Sequence, residues 1–174
     1  MKFAPRLLFC LGLMPAALMA GSSPEENLAA FGLTIVAAPP AIANYVPAVR
    51  SGSLVFLAGQ VPRAADGRMI AGKVGRDVTE AQAADAARVC ALQLLGALKA
   101  EIGDLAKVKR VVRVGGFVNC TNDFAGQSKV INGASDLLVS VFGDRGRHAR
   151  AAIGVASLPG NAVVEVEMIV EVAD

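Results

Sequence analysis

The sequence of 174 residues has very few of the side chains that build metal sites. It contains no Trp, one Tyr, one His and three Cys. The cysteines Cys10, Cys90 and Cys120 are spaced too widely for a zinc motif, and His148 is the only histidine that could join them. We therefore expect no metal site within one chain, and we expect Cys90 and Cys120 to be free thiols buried in the core.

Charged residues are also sparse, and no block of lysines and arginines stands out. They make up 18% of the chain, and the formal net charge is +2. A nucleic-acid surface normally requires a basic patch, so we expect no nucleic-acid partner. The hydrophobic fraction of 54% excludes a disordered chain, and the length suits one domain.

The first 22 residues have the layout of a secretory signal. Two basic residues precede the apolar run LLFCLGLMPAALMA, and small residues near Ala20 suit a cleavage site. The run is too short for a membrane span and contains Pro15, so we expect no membrane contact in the mature form. This interpretation predicts a periplasmic or secreted protein, whereas translation from Met19 would give a cytoplasmic one. In both cases residues 23–174 are predicted to form a single domain.

Hydrophobic periodicity and capping residues predict the order of helices and strands. A capping box from Thr79 to Gln82 and a terminal Gly103 make the second helix the clearest. The third helix is predicted to be capped by Thr121 or Asn122. The predicted elements are a helix from Ser23 to Phe31, strands 45–50, 54–61 and 69–74, a helix over 79–103, a strand over 108–118, a helix over 123–142, and strands 151–156 and 162–172.

The last two strands are predicted to form a hairpin around a turn at Pro159, with Arg150 just before the first strand. In the second strand Glu165, Glu167 and Glu171 fall on one face, because side chains two apart in a strand point the same way. A β-branched strand with carboxylates on one face either exposes that face to solvent or holds one of the carboxylates in a functional site.

Both long helices carry an apolar stripe on one side only. Together with the strand order, this predicts an α+β domain in which a mixed sheet carries two helices on one face. Nothing further in the sequence supplies a layer for the other face. The simplest cover is another copy of the chain, which predicts a closed homo-oligomer.

Three stretches of the sequence form a recognisable pattern: NYVPAVRSGSLVFLAGQVP (44–62), NDFAGQSKVINGASDLL (122–138) and RAAIGVASLPGNAVVEVEMI (150–169). They resemble the RidA family of reactive-intermediate deaminases, also called YjgF-like or L-PSP-type proteins. The resemblance covers residues 24–174. It implies a fold similar to bacterial chorismate mutase, and a homotrimer whose sheets form a central barrel with a cleft at each subunit interface. Members of the best-known branch hydrolyse 2-imino or enamine acids to 2-keto acids and ammonia, with no metal or organic cofactor.

The resemblance also implies catalytic roles for two residues. Arg150 matches the family arginine that grips the substrate carboxylate, a task that suits a planar guanidinium fork. Glu165 matches the family glutamate that positions the attacking water or shuttles its proton. His148 is expected in the loop at the rim of the cleft.

Further positions match residues that line the cleft of the family. Tyr45 matches a tyrosine, Gly59 matches the glycine of a strand-end SGQ pattern, and Asn132 matches an asparagine. Two positions depart from the family, because Ala58 replaces the serine before that glycine and Ala152 replaces a cysteine two residues after the arginine. Both changes remove a polar side chain beside the expected water site.

The sequence thus predicts two alternative functions. The first is hydrolytic deamination of a small 2-imino or enamine acid in an inter-subunit cleft. The second is binding of a small carboxylate or keto acid without turnover. The two alanines favour the second, and so does the leader, because the usual sources of such imines are cytosolic.

Overall fold

The computed structural model describes residues 22–37 and 43–174. The predicted leader lies outside the described residues except for Ser22, so its secretory role stays a prediction. No helix in these two ranges is long and apolar enough to span a membrane.

Within the described residues, five strands form one sheet that packs with three helices. The helices are α1 (Pro24–Ala30), α2 (Glu80–Ile102) and α3 (Gln127–Phe142), and the strands are β1 (Ala48–Ser51), β2 (Leu54–Gln60), β3 (Val108–Asn119), β4 (Ala149–Val155) and β5 (Val164–Val172). The strand order is β1-β2-β5-β3-β4, and every neighbouring pair is antiparallel except β3 and β4, which run parallel. The predicted α+β fold with a mixed sheet is confirmed.

The ends of α1 and α2 follow the capping residues of the sequence. Thr79 Oγ1 accepts a hydrogen bond from the Gln82 backbone N–H at 3.2 Å, and the Gln82 side chain accepts one from the Thr79 N–H at 3.0 Å. Gly103 ends α2 with a φ of 81°, a left-handed conformation that favours glycine. Ser23 and Glu26 form the equivalent capping box at α1. The predictions for both helices are confirmed to within one residue.

The third helix begins later than predicted, at Gln127 rather than Asp123. Neither Thr121 nor Asn122 caps it. Its N-cap is Gly126, which has no side chain that could accept a hydrogen bond. Thr121 instead begins a turn that precedes the helix, in which its carbonyl accepts a hydrogen bond from the Phe124 N–H at 3.2 Å. The prediction failed because side chains that suit a helix cap suit a turn equally well.

The predicted C-terminal hairpin is wrong. β5 pairs with β2 on one side and with β3 on the other, which leaves it no free edge for β4. β4 pairs with β3 in parallel, because α3 carries the chain back to the starting end of β3. Sequence adjacency cannot reveal a strand that lies between two consecutive strands.

Two smaller predictions also need correction. Residues 69–74 make isolated bridges rather than a strand. β1 begins at Ala48 rather than Tyr45, since Pro47 immediately before it has no N–H to donate. The other strand bounds differ from the predicted ones by one or two residues.

The core lies between one face of the sheet and the two long helices, as predicted. Cys90 and Cys120 are both buried free thiols, which confirms that prediction. The two helices approach each other so closely that a Cβ on Gly133 would collide with the backbone of Ala84. The largest side chains with almost no exposure in this core include Leu94, Leu95, Leu98, Ile131, Leu138 and Met168.

The other face of the sheet has no covering layer within the described ranges. Val49, Phe56 and Ile153 are 52%, 43% and 50% exposed. The strand pairing places four residues side by side in a row across β1, β2, β5 and β3: Val49, Phe56, Ile169 and Arg113. We call this surface the open face. Contiguous exposed apolar side chains are typical of an interaction surface.

Candidate active site

The predicted site residues fall into two groups, one beside the edge strand β4 and the other around β2 and the central strand β5. Arg150 lies on the edge strand β4, beside Val114 of β3, which in turn pairs with Met168 of β5. Val114 and Met168 are fully buried, so Arg150 belongs to the side of the sheet that carries the helices. Asn132 of α3 and Ala152 of β4 lie on this same side. We call these three residues the arginine group.

Glu165 lies on the open face. It pairs with Phe117 of β3, which is level with the exposed Ile153 of β4. From the spacing of strands and residues, Glu165 and Arg150 are separated by about 10 Å across the sheet and about 10 Å along it. The sheet itself therefore stands between the two side chains, and one small molecule cannot touch both within one chain.

The guanidinium of Arg150 is held by helix α3. Its Nη1 donates to Asn132 Oδ1 at 2.8 Å and to Ser135 Oγ at 3.1 Å. Ala152 lies two residues further along β4, on the same side, and packs partly buried against the core. The prediction that Asn132 and Arg150 belong to one site agrees with this contact.

Ser135, beside Arg150, was not among the predicted site residues, and His148 was expected only in the loop at the rim of the cleft. Ser135 Oγ lies 3.0 Å from His148 Nε2, and His148 Nδ1 lies 2.6 Å from the Gly146 carbonyl oxygen. Burial lowers the pKa of His148, and the charge of Arg150 lowers it further, against the opposing effect of the Gly146 carbonyl. A signal for Ser135 was present, since residues three apart on a helix share a face and Asn132 was already a candidate.

The second group is built around the close contact of Gly59 with Glu165. A Cβ on Gly59 would collide with the Glu165 carboxylate and would lie 2.9 Å from its Cδ. This contact lies where the pairing of β2 with β5 shifts register between Leu57 and Gln60. Glycine at position 59 therefore leaves room for the Glu165 carboxylate, which would have to move if the residue carried a Cβ.

Ala58 and Tyr45 lie near the same edge. The Ala58 N–H donates to the Pro47 carbonyl at 2.9 Å, which places the segment before β1 against β2. Tyr45 is two residues before Pro47, and it is 50% exposed. We call Tyr45, Ala58, Gly59 and Glu165 the glutamate group.

Glu165 and its neighbour on the open face, Glu167, have different electrostatic surroundings. The Glu167 carboxylate accepts a hydrogen bond from Arg113 Nη1 at 2.9 Å. Glu165 has no such cation within the residues that the structure describes. Burial raises the pKa of Glu165, and the negative charge of Glu167 raises it further. A half-buried carboxylate with a raised pKa is a stronger base than an ordinary one.

No cluster of three or more His, Cys, Asp and Glu side chains suited to a metal ion occurs in ranges 22–37 and 43–174. Arg150 has the chemistry to bind a carboxylate, and Glu165 has the chemistry to transfer a proton.

This fold and these residues agree with a match to a known family. Residues 25–172 match the family model described as "YjgF/chorismate mutase-like, putative endoribonuclease". The chain belongs to this family, and the resemblance to the RidA proteins is confirmed.

The chain is also similar to individual relatives and to solved structures. It is 47% identical to Protein TCP17 of Trypanosoma cruzi over 146 residues, which are 83% of this chain and 91% of that protein. It is 34% identical to a 2-iminobutanoate/2-iminopropanoate deaminase of Dermatophagoides farinae over 134 residues, which are 76% of this chain and 89% of the deaminase. The crystal structure of Atu1372 from Agrobacterium tumefaciens, a protein of unknown function, matches with a TM-score of 0.81 and 47% identity, over 86% of this chain and 92% of that one.

Proposed function

We propose that this protein hydrolyses small 2-imino or enamine acids to 2-keto acids and ammonia, at sites assembled from two subunits. The observation that carries the proposal is the division of the site residues. Arg150 and Glu165 have the chemistry for one reaction, yet they lie on opposite sides of the sheet and at different strands. A second copy of the chain is the simplest source of the missing half.

The two surfaces that such an arrangement needs are available. Arg150 is exposed on an edge strand, and Glu165 lies on the open face with exposed apolar residues around it. These are different patches, so a head-to-tail contact would bring the arginine group of one subunit to the glutamate group of the next. Repetition around a rotation axis closes the ring. The family resemblance implies that the ring is a homotrimer, with one site at each interface.

Arg150 binds the substrate in this mechanism. A planar guanidinium holds a carboxylate through two parallel charge-assisted hydrogen bonds, which fixes the plane of the 2-imino acid and the position of its C2 carbon. The contacts to Asn132 and Ser135 hold the guanidinium in place before the substrate arrives.

Glu165 of the neighbouring subunit acts on water. Its carboxylate takes a proton as the water oxygen attacks C2 of the protonated imine, and the C=N electron pair moves to the nitrogen to give a neutral tetrahedral carbinolamine. Glu165 then gives this proton to the amino nitrogen, and the C–N bond breaks as ammonia leaves. The hydroxyl group becomes the keto group and gives up its proton, through Glu165, to the departing ammonia. The raised pKa of Glu165 suits both steps, because the same group must accept a proton and return it.

A second candidate is binding of a small carboxylate without turnover. Ala58 and Ala152 favour it, because each stands where the family has a polar side chain near the reacting water. The Ala58 N–H is also engaged by the Pro47 carbonyl and cannot replace the missing hydroxyl as a donor. In this case Arg150 would retain its role and Glu165 would have none.

The test generates 2-iminobutanoate in the cuvette with an amino acid oxidase and follows its capture by semicarbazide. We expect the protein to slow semicarbazone formation by diverting the imine to 2-ketobutyrate, and we expect Arg150→Ala to weaken this effect at least about tenfold. Hydrolysis no faster than in buffer, with Arg150→Ala equal to the intact protein, contradicts the proposal. Calorimetry with 2-ketobutyrate then decides for the second candidate if the inactive protein still binds it.

A further inference from the structure

Resting on the proposed function, we propose that Ser135 and His148 are positioning residues, which orient Arg150 so that the Nε–Nη2 edge of its guanidinium receives the substrate carboxylate. Neither residue was expected to take part from the family pattern. The N–H groups of the Arg150 guanidinium differ in whether they already have acceptors within the protein.

The Nη1 group of Arg150 has no hydrogen left for a substrate. It carries two hydrogens, and it faces two acceptors, Asn132 Oδ1 at 2.8 Å and Ser135 Oγ at 3.1 Å. Both contacts are made by Nη1, and within the described residues Nε and Nη2 have no acceptor at hydrogen-bond distance. The Nε–H and the nearer Nη2–H lie parallel on one edge, which is the geometry that a carboxylate accepts.

The direction of each hydrogen bond follows from the Gly146 carbonyl, which can only accept. His148 Nδ1 lies 2.6 Å from this oxygen, so Nδ1 carries the hydrogen. In the neutral imidazole Nε2 is then an acceptor, and the Ser135 hydroxyl must donate to it across 3.0 Å. This leaves the lone pairs of Ser135 Oγ facing Arg150. The chain of bonds therefore makes Ser135 a dedicated acceptor for the guanidinium.

The surroundings of His148 favour the neutral imidazole, as this arrangement requires. Burial lowers its pKa and the charge of Arg150 from β4 adds to this, against the hydrogen bond to the Gly146 carbonyl, which raises it. Helix α3 presents the uncharged Ser135, and the adjacent Arg147 is paired with Asp144 at 3.1 Å. Neutral His148 thus accepts from Ser135 without adding a second charge beside Arg150.

The inference predicts that loss of either residue weakens carboxylate binding without stopping chemistry. Ser135→Ala and His148→Leu should each raise the KM for 2-iminobutanoate and the Kd for 2-ketobutyrate by about 3- to 10-fold, with kcat unchanged. His148→Gln should bind like the intact protein, because its amide oxygen offers an acceptor in place of Nε2. Ser140→Ala is the matched control, since Ser140 lies on α3 and donates to the Asp136 carbonyl instead.

Calorimetry with 2-ketobutyrate on these variants and on Arg150→Ala tests the proposed function and the positioning role separately. If Arg150→Ala binds as tightly as the intact protein, the proposed function fails. If Arg150→Ala loses binding while Ser135→Ala and His148→Leu keep it, the binding role of Arg150 in the proposed function stands and the positioning role of Ser135 and His148 is wrong. Equal weakening in His148→Gln and His148→Leu also overturns the role, because the acceptor would then be irrelevant. A crystal structure with benzoate should show the carboxylate on Nε and Nη2 of Arg150, and contact with Nη1 would contradict the inference.

Discussion

Arg150 and Glu165 face away from each other across one sheet, Arg150 on the helix side of the edge strand β4 and Glu165 on the open face of β5. The family resemblance implies that both residues act on one substrate. A single chain cannot bring them together, because β3 and the sheet lie between them. The site is therefore incomplete in one subunit, and the proposed reaction requires a second copy of the chain.

Substitution of Arg150 tests the binding half of the site. We expect Arg150→Ala to reduce kcat/KM for 2-iminobutanoate by about 10- to 100-fold, since two charge-assisted hydrogen bonds to the carboxylate are lost. Arg150→Lys should recover only part of this loss, because an ammonium group cannot form the parallel pair. Steady-state kinetics with semicarbazide trapping measures both variants.

The matched control for Arg150 is Arg68→Ala. Arg68 is also exposed and bonds to the Asp66 carboxylate at 2.7 Å, in a loop on which the site does not depend. It should leave kcat/KM unchanged. Equal losses in both arginine variants would mean that general charge, and not the geometry of Arg150, governs the reaction.

Substitution of Glu165 tests the chemical half. Glu165→Gln keeps the shape of the side chain but removes the base, so we expect kcat to fall by about 10²- to 10⁴-fold with little change in the Kd for 2-ketobutyrate. Glu171→Gln, on the same face of β5, serves as the control and should keep full activity. A Glu165→Gln variant with normal kcat would exclude Glu165 as the base.

The same Glu165→Gln variant should also change the pH dependence of stability. Burial raises the pKa of Glu165 above its ordinary 4.5, so the native state holds a proton that the unfolded state releases. The native protein therefore loses stability as the pH rises through the raised pKa. We expect Glu165→Gln to be more stable than the intact protein at neutral pH, and the difference to vanish below pH 4.5. Urea unfolding at several pH values measures this, and a constant difference would contradict it.

Gly59 and Glu165 should be coupled in stability. Gly59→Ala places a Cβ against the Glu165 carboxylate, and we expect a loss of about 1–3 kcal/mol in the free energy of unfolding. In a Glu165→Ala background the carboxylate is gone, so the same Gly59→Ala change should cost much less. A double-mutant cycle by urea unfolding gives the coupling energy directly. Additive effects would show that Gly59 is required for another reason.

The sequence was sufficient for the ends of α1 and α2 and for the uncovered face of the sheet. The capping box at Thr79 and the terminal Gly103 act locally, so the bounds of α2 could be predicted from neighbouring residues alone. The apolar stripe of α3 suits a helix that packs on one face of a sheet, and Phe56 and Ile153 mark the bare face opposite. The stripe predicted for α2 was wrong in being one-sided, because every residue from Cys90 to Leu98 is buried.

The sequence was insufficient wherever distant residues decide the structure. The hairpin of β4 and β5 failed because β3, far earlier in the chain, lies between them. Both Arg150 and Glu165 were predicted as site residues. Their relative positions in the sheet could not be predicted, because these positions depend on the same strand order. Ser135 was not predicted, and no role was predicted for His148, because their importance comes from contacts with Arg150 across α3 and β4.

In the proposed arrangement each site takes Arg150 from one subunit and Glu165 from another, and mixing of two impaired variants distinguishes it from a site within one chain. Arg150→Ala and Glu165→Gln are unfolded together in equal amounts, refolded, and assayed for hydrolysis of 2-iminobutanoate. Refolded intact protein gives the reference activity, and each variant refolded alone gives the background.

If neighbouring subunits share the site, random assembly gives about a quarter of the sites both native residues, and the mixture should recover about that fraction of the reference activity. If both residues act from the same chain, every site carries one of the two changes. A mixture that stays at the background, while the intact protein refolds to full activity, would contradict the account.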